Sequence, residues 1–381
     1  MQYRHFPLID DLEVSALGFG CMRLPVLGGD DAAIDGQALD AMLRAANELG
    51  VNYIDSAYVY HKGRSEGAIG AALDRTGLRG RFYLATKSPV WRAESIGDWD
   101  RFLGEQLERL GAERIDFYLL HALSKERWDK ARRLGVLEFL ERARASGRIG
   151  HVGFSFHDNY PVFEEIVRGY EGWEFCQVQY NYLDRDYQAG EKGIALAAER
   201  ELGVIVMEPL RGGALARPPR AVREVFFKYP TPRMPAEWAL RFAWDRQEVA
   251  TVLSGMGSVD QMRENAAVAE AARANALTRD ESAIIAEAAR VFKSKEAVPC
   301  TACGYCMPCP HGVAIPDVFE RYNAASMFDT AVGSDEWYKS GYAAKGQGGD
   351  SCLACGECLP KCPQRIAIPD ELKKAHSRLA G

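Results

Sequence analysis

Two groups of residues in this sequence have the types and spacings that chemistry requires. The first is a pair of cysteine runs, Cys300-x2-Cys303-x2-Cys306-x2-Cys309-Pro310 and Cys352-x2-Cys355-x2-Cys358-x3-Cys362-Pro363. Three thiols at x2 spacing wrap one face of a 4Fe-4S cube, and a remote cysteine followed by proline closes it. In two-cluster modules the fourth cysteine of each run serves the other cluster. One set is then Cys300, Cys303, Cys306 and Cys362, and the other Cys352, Cys355, Cys358 and Cys309. A pair of tetrahedral zinc sites is the alternative, since they also use x2 spacings. The first run departs from the pattern, because Cys309 follows Cys306 after two residues instead of three.

The second group is Asp55, Tyr60, Lys87 and His121, each at or just beyond the end of a short apolar run. A lysine ending an inward-facing apolar strand needs a counter-ion, and Asp55 would supply it. An ammonium beside a phenol stabilises the phenolate, so Lys87 is expected to lower the pKa of Tyr60 from about 10. His121 can hydrogen-bond a carbonyl oxygen or relay a proton. Such a set exchanges a proton with oxygen while a hydride moves at the adjacent carbon.

Those residues need a frame. Apolar runs at Leu17–Gly20, Val51–Asp55, Phe82–Lys87, Ile115–His121, Ile149–Ser155, Phe175–Tyr180, Val204–Glu208 and Ala250–Ser254 alternate with segments of helical periodicity. Eight such units in about 255 residues predict an α/β fold, a (β/α)8 barrel, whose strand ends converge on one mouth. An open doubly wound sheet is the rival, but the turn Gly18-Phe19-Gly20-Cys21-Met22-Arg23 lacks its third glycine. A helix near Arg279–Phe292 leads into the cysteine-rich tail, so the expected division is a barrel over 1–295 and an iron–sulfur domain over 296–381. Between the cysteine runs, Pro316–Met327 and Ser334–Ala344 read as helices and Gly346–Gly349 as a hinge. Cys21 and Cys176 have no partner by spacing and are expected in the core or a pocket.

The chain has 381 residues, with 47 Lys and Arg against 53 Asp and Glu. An acidic balance argues against nucleic acid as a partner. No apolar run reaches the ~18–20 residues that cross a bilayer, which argues against a membrane partner. The N-terminus shows no export signal, so a cytoplasmic location is expected, where dense cysteines act as metal ligands and not as disulfides.

The sequence resembles the aldo-keto reductases over roughly residues 1–295. The resemblance rests on Leu17-Gly18-Phe19-Gly20-Cys21-Met22-Arg23, Asp55-Ser56-Ala57-Tyr58-Val59-Tyr60 with Gly63-Arg64-Ser65-Glu66, Ala85-Thr86-Lys87, Asp116-Phe117-Tyr118-Leu119-Leu120-His121, and Gly147-Arg148-Ile149-Gly150-His151-Val152-Gly153-Phe154-Ser155. It implies a catalytic tetrad of Tyr60, Asp55, Lys87 and His121 with Tyr60 as general acid, and a nicotinamide cofactor across the barrel mouth. Ser155 and Gln177 match positions that hold the nicotinamide carboxamide, while Phe156 replaces the usual Asn and Met207 an aromatic. Gly20 and Met22 belong to the same cofactor set. The loop Pro209-Leu210-Arg211-Gly212-Gly213 suits a pyrophosphate, with Arg211 and free N–H groups. Gly255, Met256, Gly257 and Ser258 match backbone contacts to the adenosine phosphate, and Glu264 and Asn265 lie near adenine. Members that prefer the 2′-phosphorylated cofactor carry cations where this chain has Gly255 and Gln261, so of NAD(H) and NADP(H) the former is favoured. The tail resembles α-helical ferredoxin domains, and the whole chain a subgroup of reductases carrying two such 4Fe-4S clusters.

The expected activity is hydride transfer between a nicotinamide and a small-molecule carbonyl or alcohol, with Arg23, Trp91, Phe156, His157 and Tyr182 as candidates for the substrate pocket. Two other functions fit the motifs: electron transfer between a redox partner protein and the nicotinamide site, or a non-catalytic redox or nucleotide sensor. No flavin motif is present to split a hydride into single electrons.

Overall fold

The computed structural model describes residues 1–381, with backbone alone at positions 10 and 11. The chain forms two compact units, Met1–Ala216 with Arg233–Arg279, and Arg217–Pro232 with Asp280–Gly381.

In the first unit all eight apolar runs form strands. A short hairpin, β1 (Tyr3–Phe6) and β2 (Ile9–Ser15), precedes them. The strands β3 (Leu17–Gly20), β4 (Tyr53–Asp55), β5 (Tyr83–Ser88), β6 (Ile115–Leu123), β7 (Ile149–Phe156), β8 (Phe175–Gln179), β9 (Gly203–Met207) and β10 (Val249–Ser254) close into a parallel barrel, β10 pairing with both β9 and β3. Helices such as Gly36–Glu48, Gly97–Leu110 and Pro235–Trp244 cover the outside, and each buries one apolar stripe against the strands.

The strand period of two then decides what faces the barrel interior. Tyr53, Ala85, Phe117, Leu119, Phe175 and Ile205 form one inner cluster. Continuing each alternation by two residues brings Asp55, Lys87, His121, Gln177 and Met207 to the C-terminal ends of their strands on the same face. The opposite end is plugged by the hairpin, which the sequence reading did not find. Phe6 packs on Phe117 and Phe175 with ring centroids 5.2 and 6.1 Å apart. Its ring fills the space a side chain would need at Gly203, so only glycine can start β9. Burying each such ring contributes about 1.5–3 kcal/mol.

The second unit holds helices Arg279–Lys293, Ile315–Met327, Glu336–Gly341 and Ile368–Ala380 around a core that includes Val298, Phe319, Tyr338 and Leu372. Its continuous C-terminal stretch runs from Asp280, so it takes in helix Arg279–Lys293 as well as the expected 296–381. Helix Arg279–Lys293 packs on the next one through Phe292 and Phe328, 5.0 Å apart, and Lys295 pairs with Asp329 at 2.9 Å. The helix expected over 334–344 is shorter. Asp335 caps it by accepting from the Tyr338 N–H at 2.9 Å, and it ends at Gly341. Gly346–Gly349 is not an open hinge: Gly349 is buried, its N–H donates to the Tyr338 hydroxyl at 2.9 Å, and a side chain there would strike the Leu372 carbonyl. Among the described residues no helix is long and apolar enough to cross a membrane.

Candidate functional site

Parallel pairing aligns Asp55 with Ala85 and Lys87 with Leu119, which places carboxylate and ammonium on neighbouring inner positions. Lys87 Nζ donates to Asp55 Oδ1 at 2.5 Å and to the Ser56 carbonyl at 2.7 Å, and it lies 3.3 Å from the Tyr60 hydroxyl. Tyr60 sits on a tight turn held by left-handed backbone at His61 (φ 50°) and Lys62 (φ 54°). Such torsions are costly for non-glycine residues and persist where the surroundings fix them. Here buried His61 does so: its Nε2 accepts from the Leu24 N–H at 3.1 Å, and its Nδ1 donates to the Asp31 carbonyl at 2.8 Å. The His121 ring lies edge-on to Tyr60, centroids 5.8 Å apart, and Trp91 is tilted against the same ring at 5.2 Å. A bulge in β6 with Ala122 left-handed (φ 53°) sets this direction, and the Ala122 N–H donates to Ser155 Oγ at 2.7 Å. All four members of the expected tetrad therefore meet.

The electrostatics differ from expectation in one respect. Burial pushes the Tyr60 phenol above its ordinary value, and the pull of Lys87 offsets this only in part. The phenol is a held proton, not an acidified one. Burial works against the Lys87 charge, but Asp55 and Tyr60 outweigh it and the ammonium is retained. Burial, then Lys87, drives His121 well below its ordinary value, so its imidazole is neutral.

Asp55, Tyr60 and His121 open onto a cavity of about 430 Å³ at the barrel mouth. Of the residues expected at a cofactor, Gly20, Met22, Gln177, Met207, Pro209, Leu210, Gly213 and Gly255 line it, together with Arg23, Asp55, Tyr60, His121, His157 and Glu208. Buried Gln177 Oε1 has no partner, while its amide nitrogen lies 3.5 Å from the Met207 sulfur. An orphaned buried acceptor on the cavity floor fits the NH2 of a carboxamide. Ser155 Oγ, already an acceptor from Ala122, has its proton left to donate. Met256 turns its side chain into the core, leaving its backbone to the loop. Ser258 caps the following helix through the Gln261 N–H at 3.3 Å, Gln261 Oε1 accepts from the Gly257 N–H at 2.8 Å, and buried Asn265 donates to Ser254 Oγ at 3.0 Å. Glu264 is exposed on that helix.

Three expectations about side-chain direction fail. Arg211 does not offer its charge to the cavity, since its guanidinium pairs with Asp184 at 3.1 Å. The cation at the glycine loops is Arg23: its stem lies along Gly255 and its guanidinium against Gly212. Phe156 is fully buried, edge-on to Phe163 at 5.1 Å, and Tyr182 is buried edge-on to Phe242 at 6.3 Å, so neither lines the pocket. Cys21 and Cys176 are buried, with thiols pushed up by burial, Cys176 to about 12. The Arg23–glycine pairing left no periodic signal; only its place one turn after β3 hinted at it.

In the second unit the cysteines ring two cavities. Cys300, Cys303, Cys306 and Cys362 line one with Ile315, Phe319, Ile366 and Ile368; Cys309, Cys352, Cys355 and Cys358 line the other, which Cys306 also borders. The fourth cysteine of each run thus lies with the other run, and the irregularly spaced Cys309 lies with the rest. Among the described residues no three ligating side chains gather at a single ion-sized point. The thiols stand around spaces instead, which suits a cube with one thiolate per corner.

Residues 16–290 match the aldo/keto reductase family and residues 299–367 a 4Fe-4S dicluster domain. An uncharacterized oxidoreductase of Bacillus subtilis is 28% identical over 307 residues, covering 71% of this chain and 91% of that protein. An NADH-specific methylglyoxal reductase of Escherichia coli is 26% identical over 305 residues, covering 68% and 90%. Among solved structures, the holo form of an aldo-keto reductase from Bacillus halodurans superposes with a TM-score of 0.63 at 29% identity, covering 76% of this chain and 96% of that one. The chain belongs to the aldo/keto reductase family, with a 4Fe-4S dicluster domain following its barrel.

Proposed function

We propose that the barrel interconverts a carbonyl compound and its alcohol with a nicotinamide nucleotide, with Tyr60 exchanging the proton. The observation that carries this reading is the Tyr60 hydroxyl 3.3 Å from the buried Lys87 ammonium, on the same cavity as His121. The bound nucleotide supplies the hydride to the carbonyl carbon. Tyr60 gives its proton to the carbonyl oxygen, and the C=O π pair becomes the new O–H bond. Lys87 stabilises the phenolate that remains, and Asp55 fixes the ammonium in place. Neutral His121 donates a hydrogen bond to the same oxygen and so orients it.

Gln177 and Ser155 are suited to hold the carboxamide, and the Gly212–Gly213 and Gly255–Gly257 loops to cradle phosphates. Arg23, not Arg211, is the cation we assign to the pyrophosphate. Positions 255 and 261 carry no cation for a 2′-phosphate, which supports NAD(H) over NADP(H). The Tyr60→Phe variant tests the assignment: turnover should fall about 10²–10⁴-fold while NADH binding is kept. Turnover within tenfold of the parent would remove Tyr60 as the acid.

The tail is read as holding two 4Fe-4S clusters, so anaerobically purified protein should contain iron and sulfide near about 8 each per chain. Cys303 and Cys355 are exposed, which supports a second reading in which the clusters exchange electrons with a redox partner protein. Two clusters together accept the two electrons of one hydride, its proton going to solvent, but no flavin motif is present to pass those electrons singly. Bleaching of the cluster absorbance by NADH at a rate near turnover is expected on that reading; absence of bleaching leaves the clusters structural.

A further inference from the structure

We infer that the carbonyl substrate is an anion, whose carboxylate or phosphate group is held by Arg127, on the helix that follows His121, with His157 on the lining of the Tyr60 cavity. This inference rests on the reductase reading above and names its substrate class.

Arg127 follows β6, on helix Lys125–Arg133, and is half-buried. One guanidinium N–H donates to the Ala122 carbonyl at 2.7 Å, directly after His121. The guanidinium lies over the Trp91 ring at 4.9 Å, and that ring lies against His121. A guanidinium presents five donors in a fixed fork that matches a carboxylate or phosphate. Arg127 forms no ion pair among the described residues. The acids nearby are engaged by Lys125, whose ammonium pairs with Asp129 at 2.8 Å and Glu165 at 2.9 Å and whose N–H donates to Asp158 at 2.9 Å. A partly desolvated charge without a counter-ion is costly, and an arriving anion would relieve that cost.

His157 lines the cavity with His121 and Tyr60. The Gln188 amide nitrogen lies 3.3 Å from its Nδ1, which leaves the ring proton on Nε2 as a donor. After burial, Arg127 and Lys87 both disfavour charging of either imidazole. Lys87 is balanced by Asp55, whereas Arg127 has no carboxylate partner among the described residues. The other carboxylate on this cavity, Glu208, follows β9 beside the glycine loop.

Topology separates this cation from the nucleotide. The closed order runs β10, β3, β4, β5, β6, β7, β8, β9, so β6 stands across the barrel from β10 and its glycine loop. Arg23 meets the glycine loops, whereas Arg127 stands on the opposite wall, beside Ala122 and on the side of His121.

The test is reduction by the holoenzyme of matched pairs: succinic semialdehyde against butanal, and glyceraldehyde 3-phosphate against glyceraldehyde. In each favourable pair kcat/KM should be about 10- to 100-fold higher for the anion, the difference residing in KM. The pair with the larger ratio identifies carboxylate or phosphate. Arg127→Ala should reduce the anion's kcat/KM by about 10- to 100-fold more than that of its neutral partner, and Arg127→Lys should restore part of it. Succinate should compete with the anionic aldehyde in the parent enzyme, a readout that stands even where a variant folds poorly. Equal use of anion and neutral partner, or equal losses in Arg127→Ala, overturns the inference while Tyr60-dependent butanal reduction leaves the reductase reading intact. Turnover independent of Tyr60 overturns both.

Discussion

The polar residues of the barrel and the cysteines of the second unit meet opposite electrostatic situations. In the barrel, the fully buried charges of Asp55, Lys87 and Glu66 are matched by protein groups. Asp55 faces Lys87, and buried Glu66 accepts from Thr86 at 2.6 Å, Gln106 at 2.8 Å and Arg109 at 3.3 Å. Gln106 also donates to the Lys87 carbonyl at 3.2 Å, tying that network to the back of the strand that carries the lysine. The second unit instead gathers groups that repel once ionised. Burial raises the Cys300, Cys306 and Cys358 thiols, and neighbouring cysteines raise them further, Cys362 acting on Cys300 and Cys309 on Cys358. A protein-matched site is preorganised before any ligand arrives, whereas a thiolate ring depends on the iron that neutralises it. The difference teaches which part of this chain carries its own stability.

Removing iron should break the comparison most visibly. Anaerobic chelation is expected to abolish the folded second unit, with loss of its helical signal and protease resistance, while the barrel keeps its melting transition. A single unchanged transition after iron loss would show that the second unit is held by its apolar core alone. The cross-pairing of the runs sharpens the same contrast: Cys362→Ser should halve the iron content by emptying the Cys300 set, and Cys309→Ser by emptying the Cys352 set. Iron unaffected by Cys309→Ser would place the fourth ligand of that cluster elsewhere.

On the barrel side, the raised pKa of Tyr60 gives the sign of the pH dependence. On the proposed role of Tyr60, reduction needs the protonated phenol, so its rate should stay level through neutrality and fall only above the ordinary tyrosine value of about 10. Alcohol oxidation needs the phenolate and should still be rising at pH 9. Reduction that declines between pH 7 and 8 would assign the proton to another group. The smallest effect expected is at the orphaned amide: on the proposed role of Gln177, Gln177→Ala would remove one hydrogen bond to the cofactor, weakening nucleotide binding by about 0.5–1.5 kcal/mol, read as a several-fold rise in KM for NADH with kcat little altered.

Much of this architecture was legible because periodicity acts through the backbone. Alternation along Tyr53-Ile54-Asp55 and Phe117 to His121 fixed which side chains face inward, and the x2 spacings fixed which thiols share a run. The hairpin β1–β2 was missed although Leu12-Glu13-Val14-Ser15 alternates, because a two-stranded ribbon outside the repeating units has no neighbour in the pattern. The C-terminal helix was missed too, though Ile366-Ala367-Ile368-Pro369-Asp370 echoes Val313-Ala314-Ile315-Pro316-Asp317, and both start helices with proline in the first turn.

The residue types, their spacing and their strand parity determined the barrel, the inward set Asp55, Lys87 and His121, and the two cysteine runs. Only the tertiary structure decided that Arg23 rather than Arg211 meets the glycine loops, that Phe156 and Tyr182 are buried, and that the Tyr60 phenol is raised. The reason is physical. Strand direction follows from a repeat of two, but a loop side chain points where local torsions send it, as at Arg211 (φ 46°) and Gly212 (φ 68°). A pKa, likewise, is set by the sum of burial and every nearby charge, and that sum exists only once the chain has closed around the group.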